Sequence, residues 1–163
     1  MLSDVIHDAT PESTPMTNIA DRRTALGILA RSPAGLLAER LARLDERPAF
    51  TWLRKPETGT LMLRGRIGGD GELFNVGEAT LTRCTLRVAD GTVGVGTVLG
   101  RDAAKAQQVA LCDALLQRPD SAAYVLAEVI GPLAEAEHAR HAQEAAEIAA
   151  SRVDFFTVAR GED

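Results

Sequence analysis

Large rings are scarce in this chain, with four Phe, one Trp and one Tyr in 163 residues, or 4% aromatic. A core built under that limit rests on Leu, Val, Ile and Ala, so a gathering of rings marks an unusual concentration of apolar area. Cysteine is nearly absent too. Cys84 and Cys112 stand far apart, with no second Cys or His at ligand spacing, which excludes a disulfide framework and a zinc site. Positive charge is in deficit, 18 Lys and Arg against 23 Asp and Glu for a net charge of -5, so no overall field gathers a nucleic-acid backbone. Long apolar runs are missing as well, and Asp4 and Asp8 stand where a secretory signal carries Lys or Arg. A reducing, cytoplasmic setting without membrane contact fits all four absences.

What is present suits a folded protein. The hydrophobic share of 45% and the charged share of 25% exclude a wholly disordered chain. The length is enough for one ordinary core and short for two. Residues 1–17 are rich in Ser, Thr, Pro and acid and are expected to form a mobile tail. Residues 18–163 are expected to form a single α+β domain that ends in a tail over 151–163.

Helical spacing opens the domain. Asn18 is placed to cap a helix through Ile19, Leu26 and Leu29, and Ser32-Pro33 to open a second through Leu37, Leu41 and Leu44. Between residues 50 and 100 the character changes, because ten of the 14 glycines lie there among alternating stretches. The stretches predict strands over 50–53, 61–67, 73–76, 79–88 and 93–99, with Asp90-Gly91 as a hairpin turn and hence an antiparallel sheet. Asp102 then caps a helix through Ala106, Val109, Ala110 and Ala114 that covers the sheet. A short helix over 121–130 is expected to break at Gly131-Pro132, before a long Ala- and Glu-rich helix from Leu133 to Ala150. The architecture read from this order is N-terminal helices, a central antiparallel sheet, and C-terminal helices packed on it.

No familiar catalytic motif is complete. The glycines at 68, 69 and 71 belong to neither a Walker loop, since no Gly-Lys-Ser/Thr follows, nor a dinucleotide fingerprint, since Phe74 stands at the third glycine position. A hairpin turn needing positive φ accounts for them. Gly94 and Gly96 share one face of their strand, where a packed helix is expected to approach closely. His138 and His141 have a chelating spacing but no third ligand in sequence, and a solvated helix face is the favoured reading of them. No serine sits in a nucleophile elbow and no Cys has a nearby His.

Arginine carries the sharpest signal. Arg64 and Arg66 alternate onto one strand face, and Arg83 and Arg87 onto one face of another. Paired suitably, four guanidinium groups would suit phosphates, carboxylates or an acidic partner, and otherwise they are ordinary solvated or internally paired arginines. The second signal is the ending, where Val153, Phe155, Phe156 and Val158 place half of all the Phe in one short stretch. These side chains either complete the chain's own core or dock on a partner.

Taken together, Glu57-Thr58-Gly59, Arg64-Gly65-Arg66, Gly68-Gly69-Asp70-Gly71, Gly77-Glu78-Ala79-Thr80, Gly100-Arg101-Asp102 and the Ala150–Thr157 ending resemble the PhnG family over about residues 20 to 161. That resemblance implies a cytoplasmic subunit of the bacterial carbon-phosphorus lyase core complex, acting with H, I and J subunits, and with the L subunit in a synthase step. There ATP and methylphosphonate give α-D-ribose 1-methylphosphonate 5-triphosphate and adenine. It implies no catalytic residue and no cofactor bound by this chain alone, ATP and magnesium being used by the complex. Two readings from other classes stand beside it. One is a stand-alone binding module for an anionic metabolite, using the arginines, and the other is a small hydrolase with a site assembled from distant parts.

Overall fold

The computed structural model describes residues 21–44 and 47–151. Its first helix, α1 (Arg22–Arg31), is capped by Asp21, whose carboxylate accepts from the Arg23 amide. The expected cap Asn18 lies outside the described residues. Ser32 does not open the next helix but closes this one, its amide bonding to Ile28 and its buried hydroxyl donating to the Leu29 carbonyl at 2.8 Å. Helix α2 (Ala34–Ala42) begins after Pro33 and buries Leu37 and Leu41.

Three strands follow in the order β1 (Phe50–Arg66), β2 (Leu73–Val88) and β3 (Val93–Leu99), antiparallel throughout. The five short strands expected from alternation are thus three, because β1 runs unbroken through Pro56 and β2 through Gly77. Pro56 is tolerated because β1 is an edge strand, and because a register shift between Arg54 and Glu57 leaves residues 55 and 56 without partners. The β1–β2 turn uses Gly68 and Gly69 at φ +64° and +91°, as the sequence required, whereas Gly71 keeps an ordinary φ. Its need is spatial, since a Cβ there would press on the Ile67 carbonyl. Asp90 and Gly91 turn β2 into β3 within residues 89–92, Gly91 at φ +94°.

Helix α3 (Ala103–Leu116), capped by Asp102 through the Lys105 amide, is the hub of the core. It carries Ala106, Ala110 and Ala114 one turn apart and lays them on Gly94 and Gly96, where any Cβ would collide with the Ala110 or Ala106 carbonyl. The expected close approach is therefore made by a helix. The fully buried Asp113 fixes this contact by accepting from Arg22 Nε and Nη2 at 2.7 and 2.8 Å and from the Val95 amide at 2.8 Å. Sheet, α3 and α1 are joined in one polar knot.

After α4 (Ala122–Tyr124) the helix does not break at Gly131-Pro132. Residues Val125–Ile130 widen to a π-helical turn, the Gly131 amide reaching back five residues to Leu126, and the chain runs on as α5 (Gly131–Ala150). The widened turn gives the Pro132 ring the room that a regular α-turn denies it. Among the described residues no helix is long and apolar enough to cross a membrane.

Candidate functional site

Among the described residues, the sheet is covered on one side only. Along the base of β2 the even residues Thr82, Cys84, Leu86 and Val88 are buried under α3, and the odd residues face away from it. Strand β3 pairs with Leu81 to Arg87 alone, so residues 60–66 and 73–80 continue as a two-stranded arm beyond the three-stranded base. The arm leaves the body at a tight junction. Thr82 Oγ1 donates to the Gly100 carbonyl at 2.7 Å, accepts from the Asp102 amide and lies 3.3 Å from Thr58 Oγ1.

Amphipathic phase reverses at that junction. Direct cross-strand partners share a face, and the pairs Gly59 with Leu81, Leu61 with Ala79, and Leu63 with Gly77 all fall on the face turned away from α3. Phe74 and Val76 join them, because Val76 is the extra residue of a bulge and its side chain lies where a Gly65 Cβ would be. The opposite arm face is mainly polar, with Thr58, Thr60, Arg64, Arg66, Asn75, Glu78 and Thr80, and carries Met62 and Leu73 among them. So β2 is apolar toward the core at its base and apolar away from it in the arm. The consequence is an exposed apolar strip, with Leu61, Leu63, Phe74 and Val76 each 44–60% accessible.

The four sequence-predicted arginines do not share a face. Arg83 pairs with Glu57 and Arg87 with Thr51, on the bare face at the base. Seven residues along β1 from Glu57, Arg64 falls on the other face, and Arg66 with it, at the far tip. The two bulges between Trp52 and Glu57 together add two residues and leave the phase of β1 unchanged, so the division follows from the register that sets Glu57 opposite Arg83, which alternation within each strand does not fix. Arg66 is partly spent on the turn, its Nη1 donating to the Gly71 carbonyl at 2.9 Å. Arg87 rims an open depression of about 270 Å³ floored by Phe50, Thr51, Val88 and Ala89.

Other candidates contribute less. Val153, Phe155, Phe156 and Val158 lie outside the described residues. His138 and His141 are exposed beside Glu137, whose carboxylate is bound by Arg31 at 2.6 Å and thereby held below its usual pKa against the opposing effect of burial. Among the described residues no three His, Cys, Asp or Glu side chains converge as a metal site. Burial pushes the Cys112 thiol up to about 12, and Cys84 is raised for the same reason, which suits packing and not nucleophilic chemistry. Sequence reading missed the apolar arm strip and the Asp113 knot. The first had a signal in the switch of apolar parity between Leu81 and Cys84.

A small α+β protein whose described residues leave one sheet face bare, with an amphipathic arm aimed away from the core, has the form of a subunit completed by other chains. The family model of phosphonate metabolism protein PhnG matches residues 20–161, and the chain belongs to that family. It is 45% identical over 147 residues, 89% of this chain and 92% of the relative, to the α-D-ribose 1-methylphosphonate 5-triphosphate synthase subunit PhnG of Rhizobium meliloti (strain 1021).

Proposed function

We propose that this chain serves phosphonate catabolism as a subunit of the carbon-phosphorus lyase complex. In this reading it helps partner chains make α-D-ribose 1-methylphosphonate 5-triphosphate and adenine from ATP and methylphosphonate. The observation that carries the reading is the 45% identity to a named synthase subunit over nearly the whole chain. The bare apolar arm supports it, because a surface of that kind is at home in an assembly. The partners are the H, I and J subunits, joined by the L subunit for the synthase step, in the cytoplasm. ATP and magnesium belong to the assembled complex, and this chain binds no cofactor alone. The C-terminal Val153, Phe155, Phe156 and Val158 are a second docking element in the same reading. Nothing favours the stand-alone anion module, since the arginines it needs are divided between two faces.

The test is reconstitution. Purified alone, the protein should neither hydrolyse ATP nor release adenine from it. Co-expressed with the H, I and J subunits and supplied with L, it should support formation of the ribose triphosphate product. Robust turnover by the isolated chain, lost on mutating a residue within it, would overturn the proposal.

A further inference from the structure

We infer that the bare face of the β1–β2 arm seats an acidic, apolar segment of another subunit, with Leu61, Leu63, Phe74 and Val76 as the apolar floor and Arg83 and Arg87 as the charged end. The inference rests on the subunit reading and adds to it a surface and the chemistry of its occupant. Three observations on one face carry it.

The first is the reversed phase. An apolar strip that faces away from α3 is not waiting for the body to close on it, and a two-stranded ribbon without a covered face is marginal in water. The second is glycine. Gly59 and Gly77 keep ordinary φ values, and a Cβ on either would meet nothing within 4 Å. Neither turn geometry nor packing among the described residues asks for glycine at these two sites. What their bareness provides is flat ground on which an incoming chain can lie close to the ribbon.

The third is charge. On the bare face at the base, Arg54, Arg83 and Arg87 stand against the single carboxylate of Glu57, which lies 3.8 Å from Arg54. Among the described residues Arg83 and Arg87 have no carboxylate within 4 Å. A positive end on a chain of net charge -5 selects an acidic occupant. Arg83 and Arg87 lie four strand residues apart, about 13 Å, which sets the spacing of the partner's carboxylates. A second copy fits less well. Its arm tip brings Asp70 and Glu72, but Arg64 and Arg66 travel with them and leave no spare negative charge.

The experiment uses the complex co-expressed with the other synthase subunits, and places a photo-crosslinking residue at Leu63. Crosslinks into a carboxylate-bearing apolar segment of a different subunit are expected. The paired variant Leu63→Glu/Phe74→Glu should retain about tenfold less partner, while the isolated variant melts within about 3 °C of wild type because both positions are exposed. Arg83→Glu/Arg87→Glu should slow assembly and reduce its sensitivity to salt, and Arg83→Lys/Arg87→Lys should restore much of it. Crosslinks into a second copy of this chain, or into its own residues 152–163, would overturn the assigned occupant. Wild-type retention of partners by Leu63→Glu/Phe74→Glu would overturn the surface. A wild-type chain that brings no subunit with it would defeat the subunit reading first, and this inference with it.

Discussion

The base of the sheet and its arm are made from the same two strands, yet they solve opposite problems. At the base, every apolar residue of β2 from Cys84 to Val88 is directed at α3, and the fit is so close that Gly94 and Gly96 must lack side chains. In the arm the strands keep their pairing but turn their apolar side outward, where nothing of the described chain meets it. The same contrast recurs in α5, whose first turns bury Leu133 while residues 138–150 are exposed throughout, Ile148 at 71%. The lesson is that pairing and burial are specified separately. Backbone hydrogen bonds extend a ribbon as far as its register allows, whereas packing stops where small residues stop meeting large ones.

The comparison breaks most severely at Gly96. Gly96→Ala puts a Cβ into the Ala106 carbonyl, against helix backbone that cannot yield cheaply, so urea denaturation should show a loss of about 3 kcal/mol or more, or no folded protein. A substitution at this position that left stability unchanged would mean the helix does not lie on the glycines.

A smaller effect is expected where α5 leaves the body. Arg31 holds the Glu137 carboxyl below its unfolded pKa, so this ion pair stabilises the fold above the unfolded value and loses its effect as pH falls through the lower, folded one. Glu137→Gln should cost under about 1 kcal/mol near neutrality, because Arg31 is more than half exposed, and the difference from wild type should vanish in acid. Parallel urea titrations across pH 3 to 7 would check it.

Much of this was legible in advance. The class and order of the elements followed from Leu and Ala at helical spacing and from glycines gathered over 59–100, and Asp102, Gly68, Gly69 and Gly91 took the roles their chemistry suggested. Two of the failures share a cause. The unbroken β1 and the continuous helix through Pro132 each depend on a local irregularity, a bulge or a π-turn, that adds a residue without leaving a mark in composition, whereas the divided arginines depend on the register between two strands. The direction of the arm's apolar face was hidden for another reason. Alternation shows that Leu61 and Leu63 share a side but not which side holds the core. Membership of the PhnG family was legible because it rests on many residues in register and not on any one site.

The account stands most directly on amide hydrogen exchange, read residue by residue in the isolated chain and in the assembled complex. In the isolated chain, β3, α3 and the base of β2 should be protected, and residues 60–66 and 73–80 should exchange fast, as a ribbon without a covered face does. On assembly, those arm residues should gain protection of at least about tenfold while the body changes little. Equal exchange of the arm in both states would contradict the claim that another chain completes it.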